Sequence, residues 1–234
     1  MPRNNDKSRR ASHKEAVRGI YLDFEGFKDS PPALLGISVD EAFEQVVLDP
    51  ALALAAEAKG LRVSTLPKEM KRLMKESKKT GRFIFAYSRH EAKVVGEHTK
   101  FGEKFEAVYK DGRKIAKRWF KKEHSKDALP DWSLQSFMRF IGSSRPRYLG
   151  YGNATSRLQD VRDMLEQRGS YEALTPVAKG KWTRLLNYNR YDCTGLKALM
   201  VHATAGTQAP TARSKPSRRH NELGSISGVH HHAK

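Results

Sequence analysis

The sequence predicts an α/β domain built on a mixed sheet. Three observations carry this. The segments "GIYLDFEG", "ALLGISV" and "AFEQVVLD" alternate or run apolar in the manner of strands and are separated only by short turn signals, which makes them an antiparallel meander. The later "RFIFAYS" is short and nearly all apolar, as expected of a strand covered on both faces. Helix-period segments then alternate with it and follow it, the order of an α/β layer protein.

Taken along the chain, Pro31-Pro32 breaks the first strand from the second, and the polar pair Asp40-Glu41 turns the second into the third. "LPKEMKRLMKESKKTG" follows as a helix with Leu66, Met70, Leu73 and Met74 on one side and Gly81 as its stop. After "RFIFAYS", "RHEAKVVGEH" reads as a helix. "YKDGRKIAKRWFKKEHSK" reads as a hairpin remnant followed by a basic helix or loop. Helical segments "WSLQSFMRFIG", "NATSRLQDVRDMLEQRG" with Asn153 at its N-cap, and a long final helix around "KWTRLLNYNRYDCTGLKALM" complete the domain. Residues 1–17 and 204–234 are rich in polar and basic residues and are expected to be disordered arms flanking a folded unit over 18–203. They read either as phosphate-binding arms or as solubilising tails.

Composition narrows the partners. Among 234 residues, 44 Lys and Arg stand against 26 Asp and Glu, a formal net charge of +18, so a polyanion is the expected partner and nucleic acid leads the candidates. No apolar run is long enough for a membrane span, and the polar start of the chain does not fit a secretory signal; a cytoplasmic protein without a membrane partner is expected. The single cysteine, Cys193, excludes an internal disulfide and a cysteine-based zinc site. His230, His231 and His232 belong to the polar tail. One domain of this length is expected to stand as a monomer.

Arg118, Trp119, Lys121 and Lys122 combine cations with a ring, the pattern of a surface that holds phosphates and stacks bases. The competing reading makes the segment a solvated helix anchored to the core by Trp119 and Phe120.

The chemistry-bearing residues begin with Asp23 and Glu25. Residues two apart on a strand share a face, so these acids project together while Ile20, Leu22 and Phe24 point the other way. Paired carboxylates off a strand are either a solvated strand end or ligands for a hard cation such as Mg²⁺ or Mn²⁺. In the last helix Tyr188 and Asp192 are four apart and stack on one face, beside an apolar stripe through Trp182, Leu185, Leu186, Asn189, Cys193, Leu196 and Met200. Gly195, which costs a helix about 1 kcal/mol relative to Ala, suggests a close approach to the sheet.

An Asp-x-Glu strand near the start and a late Tyr-x-x-x-Asp helix resemble the DEDD 3′–5′ exonucleases of the ribonuclease H-like fold. The wording of "IYLDFEG", "FAYSRHEAKVV", "WSLQSFMRFIG" and "LLNYNRYDCTGLKAL" looks closest to predicted RecB-family nucleases with a ribonuclease H-like domain, over about residues 18–203. The resemblance implies a mixed ribonuclease H-like sheet and hydrolysis of DNA or RNA, single-stranded or at a 3′ end. It also implies two divalent ions, Mg²⁺ or Mn²⁺, held by Asp23, Glu25, Glu91 and Asp192, with Tyr188 orienting the attacking water. One position departs from the pattern: where the family carries a further Asp, this chain has Glu91. Glu91 can ligate with a longer arm, or it can close a capping box with Ser88. Asp160 and Asp163 are rival acids, explained equally by a solvated face shared with Arg157 and Arg162; His90 reads as a surface histidine that could also face a phosphate. The replaced acid keeps open a second function, a ribonuclease H-like module that binds nucleic acid without cleaving it. A domain that contacts protein partners in ribosomal or repair assemblies is the third.

Overall fold

The computed structural model describes residues 10–27, 30–143, 145–150 and 153–206. A six-stranded mixed sheet runs in the order β4-β3-β2-β1-β5-β6. The expected meander is β1 (Ile20–Gly26), β2 (Pro32–Val39) and β3 (Ala42–Val47), antiparallel throughout. Beyond it β5 (Ile84–Ala86) lies parallel to β1, β6 (Tyr109–Asp111) parallel to β5, and the two-residue β4 (Arg62–Val63) parallel to β3.

Alternation along β1 sorts its side chains. Ile20, Leu22 and Phe24 join Leu35, Ile37 and Val46 under α3 (Leu66–Thr80), α4 (Arg89–His98) and α5 (Gly102–Glu106). The opposite face carries Tyr21, Asp23 and Glu25 and is covered chiefly by the 29-residue helix α9 (Pro176–Thr204). At one end α9 buries Trp182, Leu185 and Leu186 against Leu34, Val47, α2 (Ala53–Glu57) and α8 (Ala154–Arg168); at the other it buries Leu196, Leu199 and Met200 with Tyr21, Phe85, α6 (Gly112–Glu123) and α7 (Leu134–Phe140). Both acids of β1 therefore fall in the gap between two apolar contacts of one helix.

Glycine makes that contact close. A Cβ on Gly36, in the middle of β2, would fall on the side-chain amide of Asn189 and lie 2.9 Å from Sγ of Cys193. On α9 itself, a Cβ on Gly195 would meet the Met138 side chain, so the packing role expected of this glycine is realised against α7 rather than the sheet.

Several local expectations change in the structure. "YKD" is a parallel edge strand rather than half of a hairpin, because Asp111 caps α6 directly, accepting from the Lys114 amide at 2.9 Å. Half-buried Trp119 meets Phe120, His124, Phe140 and His202 edge-on and, with Arg118 and Lys122, also lines a surface cavity of about 350 Å³, while Arg118, Lys121 and Lys122 are exposed. Asn153 precedes α8 without a side-chain capping bond.

The N-terminal arm is shorter than expected. Residues His13–Val17 form α1, closed by a Ser12–Glu15 capping box, with Ala16 fully buried and its carbonyl accepting from the Tyr21 hydroxyl. α9 continues one residue past 203, to Thr204. The expectations for residues 1–9 and 207–234, His230, His231 and His232 included, lie outside the described residues. Among the described residues no helix is long and apolar enough to cross a membrane.

Gly36→Ala is expected to destabilise the protein by about 1–3 kcal/mol through overpacking. Urea denaturation reads this as a lower midpoint; an unchanged midpoint would show that α9 does not need its present seat on β2.

Candidate metal centre

Three carboxylates meet beneath α9. Asp23 and Glu25 from β1 and Asp192 from α9 each place an oxygen within 4.8 Å of the others. Glu25 is buried, and Asp23 and Asp192 are partly accessible, so the group opens to solvent on one side. This joins the first and last of the expected acid motifs, and Tyr188 lies with them, one helical turn before Asp192.

Asp23 is held from above by a buried amide. Cross-strand register sets Gly36 opposite Asp23 and Gln45 opposite Gly36, a row of three on one face of the meander. Because Gly36 has no side chain, fully buried Asn189 settles over it and bridges its neighbours. Its Nδ2 donates to Oδ2 of Asp23 at 2.9 Å and to the Asp23 carbonyl at 3.2 Å. Its Oδ1 accepts from Nε2 of Gln45 at 2.9 Å, and the same Nε2 donates to the Leu186 carbonyl at 3.0 Å. Asn189 is thus no member of an apolar stripe; it is the group that fixes one acid's orientation.

Arg145 closes the other side. Its Nη1 donates to Oδ1 of Asp192 at 3.1 Å, and its guanidinium carbon sits 3.9 Å from the centroid of the Tyr188 ring. The Arg145 side chain is only 4% exposed, so this is a buried ion pair with a cation–π contact on its back.

Electrostatics follow from the crowding. Burial raises the Asp23 carboxyl well above the carboxylate range, and the charges of Glu25, Asp192 and Glu91 push the same way, against the hydrogen bond from Asn189. Burial and then the charge of Asp192 raise Glu25, while Arg145 pulls it down. Asp192 is raised by burial and held back by Arg145 and a hydrogen bond from Tyr188. The Tyr188 phenol is itself raised, by burial first and Asp192 second, so it stays protonated near neutral pH. Buried Cys193 is likewise kept as a thiol, by burial and then by the acids around it.

Glu91 stands apart from the three-acid group. Its Oε2 accepts from the Ser88 amide at 3.3 Å and the Ser88 hydroxyl at 3.1 Å, the capping box that was one of its two expected roles. It is near enough for its charge to be felt at Asp23 and Glu25, and burial lifts its own carboxyl to about 7. The rival acids are engaged elsewhere: Asp160 pairs with Lys181 of α9 at 2.6 Å, and Asp163 accepts from Gln159 within α8 at 2.5 Å. Arg157, expected on a solvated face, turns inward instead; its Nη2 donates to the Leu149 carbonyl at 2.5 Å, and Nη1 has no hydrogen-bond partner among the described residues. Exposed His90 lines a cavity of about 450 Å³ beside Glu25, together with Phe27, Lys93, His98 and Thr155.

The donor set suits a hard divalent cation: three carboxylates close together, held above their ordinary pKa first by burial and, at Asp23 and Glu25, by the charges of their neighbours. Comparison with protein-family models, with curated proteins and with solved structures finds no match.

The raised carboxyls predict a specific pH dependence. Glu91, for one, has its ordinary value of 4.5 in the unfolded chain and about 7 in the fold, so between those values the folded protein holds protons that the unfolded chain has released. Stability of the metal-free protein should therefore fall as pH rises from about 5 to about 8, and saturating Mn²⁺ should offset the fall. Thermal unfolding in EDTA and in Mn²⁺ measures both; a melting temperature that climbs with pH in EDTA would contradict the raised, buried carboxyls.

Proposed function

We propose that the protein is a divalent-metal-dependent nuclease of ribonuclease H-like fold, a 3′–5′ exonuclease acting on DNA or RNA in the cytoplasm. The observation that carries this reading is the convergence of Asp23, Glu25 and Asp192 within 4.8 Å beneath one helix. The sheet is compatible with it: β3-β2-β1-β5-β6 is antiparallel across the meander and parallel beyond β1. So is the net charge of +18.

In this reading Asp23, Glu25 and Asp192 hold the cation, Mg²⁺ or Mn²⁺. Bound there, it would neutralise charge at the phosphate and lower the pKa of a water so that hydroxide is available to attack phosphorus near neutral pH. Asn189 keeps Asp23 in its ligating orientation through the Nδ2 bond. Tyr188, a neutral phenol one turn from Asp192, orients the attacking water by hydrogen bonding and does not act as a base. Arg157 lies close enough to Arg145 and Arg184 for burial and their charges to lower its own pKa, and this gathering of guanidiniums favours a polyanionic substrate. The cavity beside Glu25, with His90, Lys93 and His98 on its wall, offers room for a nucleotide next to the acids. Exposed Arg118, Lys121 and Lys122 extend the basic surface.

A second reading, the ribonuclease H-like module that binds nucleic acid without cleaving it, is favoured by one observation: Glu91 is engaged by Ser88. Both bonds use Oε2, so in this reading Glu91 is a helix cap and the metal site lacks the fourth acid that the resemblance implies.

Incubating the protein in Mn²⁺ with 3′- and 5′-labelled single-stranded DNA and RNA separates the readings. The nuclease shortens the strand stepwise from its 3′ end, stops in EDTA, and loses hydrolysis but not nucleic-acid binding in Asp23→Ala. Undiminished hydrolysis by Asp23→Ala would sink the assignment, and binding without cleavage in Mn²⁺ or Mg²⁺ would establish the module.

A further inference from the structure

The proposed reaction uses the middle of α9 and leaves its C-terminal end, α1 and α6 without a role. These elements enclose the surface cavity of about 350 Å³ that Trp119 lines. Its walls are fixed at three points. Buried Lys110 donates from Nζ to the Arg10 carbonyl at 2.8 Å, with its ammonium 4.1 Å from the centroid of the Phe83 ring, and so anchors the chain entering α1. Nδ1 of His13 lies 3.3 Å from Oγ1 of Thr204, within hydrogen-bond distance, tying α1 to the last residue of α9. Trp119, on α6, is wedged among four edge-on rings, so the part of it that reaches the cavity is held in place.

Cations ring this cavity. Arg10, Arg118 and Lys122 line it against one acid, Glu123, and that acid is taken by Lys122, whose Nζ lies 2.6 Å from its Oε1. The exposed Arg10 and Arg118 side chains make no ion pair among the described residues, and exposed Lys121 adjoins Arg118 one turn along α6. Two unengaged guanidiniums beside a fixed ring offer what a single-stranded polyanion takes: planar donors for phosphate oxygens and a wall for an unpaired base. A duplex keeps its bases stacked inside and could use the cations alone. A concave wall dominated by one sign of charge also focuses its field more than the same charges on a convex surface. From Asp192 to Thr204 the helix is unbroken, which sets the cavity about 18 Å along the α9 axis from the acids.

We infer that this cavity is a second, non-catalytic binding site for single-stranded nucleic acid, which holds phosphates with Arg10 and Arg118 and seats an unpaired base against Trp119. It grips the strand away from the acids, by charge and ring contact rather than by base edges, so it reads strandedness and not sequence. The inference rests on the nucleic-acid partner proposed above and holds whether or not the acids cleave.

Fluorescence anisotropy of the full chain in EDTA tests it, with labelled single-stranded DNA and RNA of about 16 nucleotides as probes. Without metal the three acids repel phosphate, so binding reports the cavity, and the two arms show which sugar it takes. The Arg10→Gln/Arg118→Gln double variant is expected to bind at least about tenfold more weakly than wild type, with a shallower salt dependence. Lys71→Gln/Lys75→Gln removes the same charge from exposed positions of α3, on the opposite face of the sheet, and should bind as wild type does. The unlabelled strand should quench wild-type tryptophan emission where a blunt duplex does not, and Trp119→Phe should lose most of that quenching. Wild-type affinity in the double variant, an equal loss in the α3 pair, equal quenching by the duplex, or full quenching in Trp119→Phe would overturn the site while leaving the metal centre standing. Failure of wild type to bind either strand would overturn the site and the nucleic-acid partner together.

Discussion

The close seat of α9 on the meander is the constraint on which the rest depends. It is set by a missing side chain: Gly36 leaves the middle of β2 bare, and Asn189 fills that space between Asp23 and Gln45. With Asn189 in place the helix can approach no other way without leaving a buried amide unpaired, a cost of about 1–3 kcal/mol. Asp192 and Tyr188, three residues further and one residue before on the same helix, inherit their positions from that single docking. The long apolar contacts at either end of α9 make the docking strong; the polar row beneath its middle makes it specific.

Holding acids together in this way stores electrostatic tension. Three carboxylates lie within reach of one cation, and the fold reduces the tension in two partial ways. Asn189 donates to Asp23, and Arg145 donates to Asp192. The charge of Arg145 also acts on Glu25, yet its carboxyl remains raised by burial and by the charge of Asp192. A site that is stable enough to fold yet still short of positive charge is poised to take up a cation. The Ser88 cap places Glu91 in a similar intermediate condition, satisfied by local hydrogen bonds but close enough to be felt electrostatically by the other acids.

Much of this was legible from residue order, and what was not has identifiable causes. The meander could be read because alternation and turn residues are local signals, as were the two-residue spacing of Asp23 and Glu25 on a strand and the four-residue spacing of Tyr188 and Asp192 on a helix. Asn189 was hidden because its meaning depends on register: only when Gly36 and Gln45 fall opposite Asp23 does a polar residue in an apolar stripe acquire a purpose. Gly36 itself was visible as a glycine between Leu35 and Ile37, the one signal that could have prompted the question of what approaches there. Arg145 lies 47 residues from Asp192, in a segment without periodic pattern, and no spacing rule could pair them. Trp119 illustrates an ambiguity of composition, since a ring among cations has the same sequence whether it faces solvent or the core, and here it does part of each, meeting Phe140 and His202 while lining a cavity with Arg118 and Lys122. The short helix α1 was missed because five residues carry too little periodicity; its Ser12–Glu15 capping box was present in the sequence but precedes almost no apolar run.

The central claim is that the three acids are brought together to bind a divalent cation. Crystals soaked in Mn²⁺ and measured for anomalous scattering near the manganese edge test it most directly. The account predicts a manganese peak in direct contact with the carboxylates of Asp23, Glu25 and Asp192. Absence of a peak there in crystals that bind manganese elsewhere would contradict it.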